Sequence, residues 1–412
     1  MVRISDLSLM PICDLVAIAG KVFWTMTSLH VAQVIGNLKC GGTQELLVQL
    51  AGQQRQAGLR LRVVVLSSPV GTGYCDRLRA AGVCVAHLSP GRGGVGMLIW
   101  RLARELRAFK VDLVHAHLRR ANTLAPIAGA IAGIPVIGGL HLPSPSRRGV
   151  DGLRDLAESL ALRAGSRGVT ACSDSVARDN RDRLGSLPIA TLANPAPPAP
   201  PIAMIETGRA AGRDASDPVA FLVVGRLAPE KRVEIALSAA RHLLDRGIRF
   251  RLSIAGEGSE ASCLRAFSRH LGLDSVVRFL GPRTDISRLM ITHDVYLSAS
   301  REEGLSIALL EAMAHAMPVV VTPAGSAETL VDRHVGYCVA MENAEALAAA
   351  MYELARDPCK RCNLGRAARL KVEQHHRLGD WSRDLVRLYE RALAGRLPSS
   401  ISGGLRPDRA IF

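Results

Sequence analysis

Glu303 and Glu311 stand eight residues apart in the segment DVYLSASREEGLSIALLEAMAHAMPVVVT (294–322), among residues suited to holding a charged ligand. The run Val295-Tyr296-Leu297 predicts a strand, Glu303-Gly304-Leu305-Ser306 a loop, 307–316 a helix, and Pro318 onward a second buried strand. A helix start carries unpaired N–H groups and the positive end of the helix dipole, which together seat a phosphate. Gly304 leaves room for a ligand against the backbone, and two nearby carboxylates accept hydrogen bonds from hydroxyls. Phosphate and hydroxyls together describe a nucleotide sugar. A plain strand–helix–strand unit with two solvated glutamates has the same pattern, so other parts of the chain must separate the two readings.

A second loop supplies the opposite charge. Gly225-Arg226-Leu227-Ala228-Pro229-Glu230-Lys231 follows the apolar run FLVV directly. An Arg and a Lys at the carboxyl end of a strand can clamp a diphosphate, the Arg through two parallel hydrogen bonds and the Lys as a point charge.

These loops need a frame that brings strand ends together. From residue 31 the chain alternates apolar runs with helical patterns: VAQVI, helix 44–57, LRVVVLSS, helix 74–81, VCVAHL, helix 97–109, VDLVHAH, helix 122–132, PVIGGLH, helix 153–164 and GVTACS. Continuous apolar strands alternating with helices predict a parallel sheet covered on both faces. That gives a first doubly wound domain over 29–194, preceded by a poorly ordered leader (1–28). The stretch 195–217, rich in Pro, Ala and Gly, reads as a linker. Alternation then restarts, predicting a second doubly wound domain over 218–374. A helix within 375–396 is expected to return toward the first domain, and 397–412 to form a disordered tail. Ligands of such sheets bind beyond the carboxyl ends of the strands, so two sheets in tandem face each other across a cleft.

Composition narrows the partners. The 412 residues are 48% hydrophobic, enough for two large cores, and only 4% aromatic. Nine scattered cysteines fit reduced thiols in a cytosol. The net charge is +15, of which residues 1–217 carry +10. That bias calls for an anionic partner, such as phospholipid, nucleic acid or a phosphorylated substrate. Too few aromatics are interleaved with the basic residues for base stacking, which argues against nucleic acid. The apolar stretch 7–26 is interrupted by Asp14 and Lys21 and lacks a clean cleavage site, so it is not read as a signal peptide. Met26 is an alternative start. The uncharged run 121–146 is broken by Pro126, Pro135 and several glycines, so it is read as a short helix and a strand rather than a membrane span. In the helix 97–109, Ile99, Leu102, Leu106 and Phe109 are expected to form the apolar stripe. Arg101, Arg104 and Arg107 on its remaining surface would let it dock on an anionic leaflet; the plainer reading is a core-packed helix with a solvated face.

Two patterns mislead. Gly91-Arg92-Gly93-Gly94-Val95-Gly96 fits G-x-G-x-x-G, but the acidic residue that should close a strand some 20 positions on is Asp112, which opens one. Cys359-Lys360-Arg361-Cys362 with His375 and His376 lacks the histidine spacing of a zinc finger.

Taken in order, these motifs resemble the retaining GT-B glycosyltransferases, specifically glycosyltransferase family 4, over residues 30–395. The resemblance rests on Gly41-Gly42, Val114-His115-Ala116-His117, the Arg226–Lys231 loop, Gly256-Glu257-Gly258, Phe279-Leu280-Gly281, Glu303 with Glu311, and Gly325-Ser326-Ala327-Glu328. It implies an α/β GT-B fold of two Rossmann-like domains around a cleft, and transfer of a sugar from a UDP-, GDP- or ADP-sugar without a cofactor or bound metal. By the same resemblance, Arg226 and Lys231 neutralise the donor diphosphate. Glu303 and the backbone of Gly304, Leu305 and Ser306 hold the sugar and phosphate, and Glu311 takes the ribose hydroxyls. Gly41 and Gly42 let the first domain approach the diphosphate, and His141 faces the reacting carbon. The implied acceptor is a glycan or lipid-linked hydroxyl, and the implied location cytoplasmic, with peripheral contact to an anionic inner membrane. At most one of His115 and His117 is expected to face the cleft. Leu305 replaces a common Phe, and His315 replaces a small residue, where it is expected to reshape the pocket floor. A related epimerase or hydrolase, or a non-catalytic membrane-associated binding protein, would share much of this pattern.

Overall fold

Alternating apolar runs and amphipathic helices build two parallel sheets in the computed structural model, which describes residues 28–397 apart from 40, 70, 72, 90, 145–148, 212–213 and 215–216. The first half runs β1 (Leu29–Ile35), α1 (Gly42–Gln53), β2 (Leu59–Val65), α2 (Tyr74–Ala80), β3 (Cys84–His87), α3 (Gly94–Ala108), β4 (Leu113–His117), α4 (Leu118–Ala132), β5 (Val136–Leu140), α5 (Gly149–Gly165), β6 (Val169–Ala171), α6 (Asp174–Asp179), α7 (Arg181–Leu184) and β7 (Ile189–Thr191). The second runs α8 (Ile202–Ala210), β8 (Val219–Val224), α9 (Val233–Asp245), β9 (Phe250–Ala255), α10 (Ala261–His270), β10 (Val277–Gly281), α11 (Ile286–Thr292), β11 (Val295–Ser298), α12 (Ile307–Ala314), β12 (Val319–Val321), α13 (Ala327–Leu330), β13 (Gly336–Cys338), α14 (Ala344–Arg356), α15 (Pro358–His375) and α16 (Leu378–Leu393).

The first sheet has the order β3-β2-β1-β4-β5-β6-β7 and the second β10-β9-β8-β11-β12-β13. The pairings are parallel, and strand order reverses at β1/β4 and at β8/β11. Those switch points are where a doubly wound sheet opens a crevice for ligand.

Several elements have little local signal in the sequence. β7 is only three residues long, too short for a periodicity signal, yet Ile189 and Ala190 are buried in the core. α8 lies inside the stretch read as a linker. Its Ile205 is fully buried, and the Arg209 guanidinium donates to the carbonyls of Met290, His293, His315 and Ala316. Tertiary contacts therefore order a segment whose local pattern is weak. α15 fills a region where no helix was expected. The expected leader and tail lie, apart from Ser28 and Leu397, outside the described residues.

α16 follows the second sheet in sequence but packs on the first. Trp381, Leu385, Leu388, Tyr389 and Ala392 share a core with Val31, Ile35, Leu46, Leu47 and Leu50 of β1 and α1. The opposite face of this sheet is covered by α3 and α4, where Leu98, Leu102, Ala103 and Leu106 are buried. Phe109 is not part of that stripe: it follows the end of α3 and is 41% exposed.

Candidate active site

The loop after β8 is held against the loop after β9 by bare backbone. A Cβ on Gly256 would stand 1.8 Å from the Gly225 carbonyl oxygen, and one on Gly258 would stand 2.2 Å from that of Leu227. No side chain fits there, so the pair of glycines fixes the loop bearing Arg226. Leu227 N–H donates to Glu257 at 3.0 Å, and Glu260 N–H to Leu227 at 2.9 Å, completing the clasp. Arg226 remains about half exposed and pairs with Glu230 at 2.6 Å. Lys231 turns inward and forms an ion pair with Glu303, whose Oε1 also accepts from Ser300 Oγ at 3.1 Å. Arg226, Lys231 and Glu303 thus line a single pocket with Gly225, Ser298 and Ser300.

Beside this pocket α12 begins. Ser306 is its N-cap, its hydroxyl accepting from Leu309 N–H. Leu305 is buried, and its carbonyl accepts from Asn194 Nδ2 at 2.9 Å. Gly304 is where the two halves touch: a Cβ here would lie 2.3 Å from the His141 carbonyl oxygen and 2.7 Å from Cys172 Sγ. Gly304→Ala is therefore expected to push the halves apart, costing about 1–3 kcal/mol and lowering the melting temperature by several degrees. An unchanged melt would show that the contact yields without strain.

Across the cleft, Gly42 at the start of α1 faces Ile307, with a hypothetical Cβ at 3.2 Å from Ile307 Cγ1. Gly41 precedes it as N-cap in an extended conformation open to any residue. Glu311 is driven up to about 8, chiefly by burial and then by the Glu45 carboxylate, against the opposing Arg77 charge. Arg77 and Glu45, held together by two hydrogen bonds of 2.7 and 2.8 Å, thus bring charges from α2 and α1 toward a helix of the other half.

His141 follows β5 and lines a second hollow with Gln33, His115, His117, Thr170, Asn194 and Trp381 among others. Its Nε2 lies 3.1 Å from His117 Nδ1. The expectation that His115 and His117 separate is wrong. Residues two apart on a strand share a face, and their ring centroids are 4.2 Å apart. Burial holds all three imidazoles below their ordinary range, His115 at about 3 and His141 at about 4, so they are neutral near pH 7.

His315 does not shape the floor of either hollow. It is fully buried at the far end of α12, with Nδ1 on the Glu311 carbonyl at 2.8 Å and Nε2 on Ser287 Oγ at 2.7 Å. It braces α11 against α12 and lines neither hollow. Glu311, Gly41 and Gly42 line neither hollow either, although they lie along the same seam. Nothing local marks Gln33, Asn194 and Tyr389, whose partners Tyr389, Leu305 and His115 lie more than a hundred residues away, and no motif marks Glu45 and Arg77, which pair across 32 residues, or Ser300, which pairs with Glu303.

Two family models match in succession. Residues 40–198 match the Glycosyltransferase Family 4 model, and 205–371 match Glycosyl transferases group 1. The structure of Anabaena Alr3699/HepE in complex with UDP-glucose superposes with a TM-score of 0.75 over 88% of this chain and 99% of that one, at 21% identity. The chain belongs to the GT-B glycosyltransferases. EpsF of Bacillus subtilis (strain 168), named as a glycosyltransferase, is 29% identical over 59% of this chain and 65% of EpsF. The amylovoran biosynthesis glycosyltransferase AmsK of Erwinia amylovora is 31% identical over 43% of this chain and 46% of AmsK. Both alignments span less than two thirds of the relative. A D-inositol 3-phosphate glycosyltransferase of Streptomyces bingchenggensis (strain BCW-1) aligns over 85% of each chain at 25% identity.

Proposed function

We propose that this GT-B chain is a retaining glycosyltransferase moving a sugar from a nucleotide diphosphate sugar to a hydroxyl of a glycan or lipid-linked acceptor, in surface polysaccharide or glycolipid synthesis. One observation carries the reading: Arg226, Lys231 and Glu303 converge in one pocket at the carboxyl ends of β8 and β11, beside the start of α12. Two cations suit a departing diphosphate, whose charge grows as the sugar leaves. Glu303 and Glu311 suit sugar and ribose hydroxyls. The UDP-glucose named for HepE and the amylovoran biosynthesis named for AmsK support this donor and this setting. In this reading the bond from the anomeric carbon to the diphosphate breaks as the acceptor oxygen bonds on the same face. The acceptor proton passes to a donor phosphate oxygen, and the chain's own groups stabilise charge without a metal.

Screening UDP-, GDP- and ADP-sugars by thermal shift tests the donor site, because a ligand bound only to the native state raises its melting temperature. Incubating the stabilising donor with and without acceptor then separates transfer from epimerisation or hydrolysis. No stabilisation by any nucleotide sugar would sink the proposal.

The lipid-linked acceptor is favoured by one face of the first sheet. Trp100 on α3, Ile127 and Ile131 on α4, and Leu153, Leu156 and Leu160 on α5 are exposed on neighbouring helices. Arg101, Arg104, Lys110 and Arg120 are exposed beside them. No helix among the described residues is long and apolar enough to cross a membrane, so this reading puts the face on the cytoplasmic surface of an anionic bilayer. Each basic residue near such a surface contributes about 1 kcal/mol. Arg101→Glu with Arg104→Glu is therefore expected to cut co-sedimentation with anionic vesicles at least about tenfold. Equal binding to anionic and neutral vesicles would remove the anionic surface from the proposal, and binding to neither would remove membrane contact.

A further inference from the structure

A buried chain of hydrogen bonds runs from α16 to His141, and each link settles the next. Thr170 Oγ1 donates to the Gly138 carbonyl, 3.3 Å away, so it accepts from His115 Nε2–H at 3.1 Å. His115 Nδ1 then carries no proton and accepts from the Tyr389 hydroxyl at 2.9 Å. The Tyr389 oxygen in turn accepts from Gln33 Nε2 at 3.0 Å. This points Gln33 Oε1 at His117 Nε2–H, 2.7 Å away, and leaves His117 Nδ1 to accept from His141 Nε2–H at 3.1 Å. Gln33 and Tyr389 are fully buried, so water cannot replace a lost partner cheaply.

We propose that Gln33 and Tyr389 are positioning residues for His141: acting through His117, they hold its proton on Nε2 and so leave Nδ1 as a lone pair for a hydroxyl of the bound donor. The proposal rests on the glycosyltransferase reading for what His141 meets, but the tautomer itself needs no substrate. Tyr389 belongs to the last described helix, which crosses back from the second sheet, so the end of the chain completes a cluster otherwise built from β1, β4, β5 and β6. The two relevant groups could also run in reverse, with Gln33 turned over, donating to His117 and accepting from Tyr389. That arrangement would put the His141 proton on Nδ1. Thr170 donating to Gly138 selects the first polarity.

Nitrogen-15 NMR of the full chain labelled at histidine reads the protonation of each ring nitrogen, with His141→Ala identifying the signals of His141. At pH 7 without donor, His141 is expected to be neutral with its proton on Nε2. Tyr389→Phe keeps the packed ring and removes the hydroxyl; Gln33→Met keeps the length and removes the amide. Either is expected to move a substantial fraction of His141 to the Nδ1–H form and to lower kcat about tenfold. A His141 proton on Nδ1 in the native chain, or a tautomer unmoved in both variants, overturns the proposal. If one variant fails to fold, the other and the native tautomer still decide. Loss of all donor binding in the native chain would instead overturn the proposed function and leave the tautomer assignment standing.

Discussion

Lys231→Ala is expected to lower kcat/KM for sugar transfer by about a hundred- to a thousandfold, the cost of removing one preorganised charge from a site where negative charge develops. The Lys231 side chain is 20% exposed and that of Glu303 is 14% exposed, so the pair is screened less than one at the surface and its charge is felt at close range. Two effects combine in the variant. Diphosphate stabilisation falls to Arg226 alone, and Glu303 is left as an uncompensated carboxylate that repels the donor. Both weaken transfer, and only the second destabilises the fold. A double variant, Lys231→Ala with Glu303→Gln, is therefore expected to regain the melting temperature lost by Lys231→Ala while remaining inactive. Initial rates and thermal melts of the two proteins measure this. Native-like rates in Lys231→Ala would refute the donor site.

Glu311 is expected to show a trade of stability for binding. Its folded carboxyl titrates at about 8, well above its ordinary value of 4.5, because burial penalises the charged form. The native state therefore keeps a proton that the unfolded chain gives up. Relative to an unperturbed glutamate, the native state is undisturbed below about pH 4.5 and progressively destabilised as pH rises toward 8. Glu311→Gln removes that penalty and is expected to be more stable than the native chain by on the order of 2–4 kcal/mol at pH 8, with little difference at pH 5. Ribose hydroxyls donating to this residue favour the ionised form, so donor binding expels the proton. Native affinity should then rise with pH between 6 and 8, by at most about tenfold per unit. In Glu311→Gln that slope should vanish, with binding weaker by about one to two orders of magnitude at pH 8. Denaturant unfolding and donor titration at several pH values test both halves. A variant no more stable at pH 8, or with an unchanged binding slope, would show that Glu311 is neither as buried nor as close to the donor as argued.

The loops with local signatures were legible in the sequence. Gly225–Lys231 and Glu303–Ser306 follow strands of six and four residues that are mainly apolar, and a helix start or a strand end can be placed from such runs alone. The order of these loops, the two sheets and the cleft follow from alternation and from the short, right-handed crossovers that parallel strands require. The pairing of Lys231 with Glu303 was within reach as well, since both loops end neighbouring strands, β8 and β11, of the second sheet.

What the sequence alone could not supply is contact between residues with no local reason to meet. His115 and His117 were legible as a strand-end pair, yet their burial as neutral rings and the partner of His115, Tyr389 some 270 positions later, come from the tertiary structure. His315 was expected to reshape the pocket floor because, by the resemblance, it replaces a small residue. The direction of α12 puts it at the opposite end of the helix, against Ser287. α8 forms where composition suggests a linker because Arg209 finds four carbonyls at the ends of α11 and α12. Composition, periodicity and motif spacing act within a dozen residues, and they determined the sheets, the loops and the charges of the candidate site. Which buried groups share protons, and how high Glu311 titrates, depend on desolvation and on partners from distant segments, and only the tertiary structure decides those.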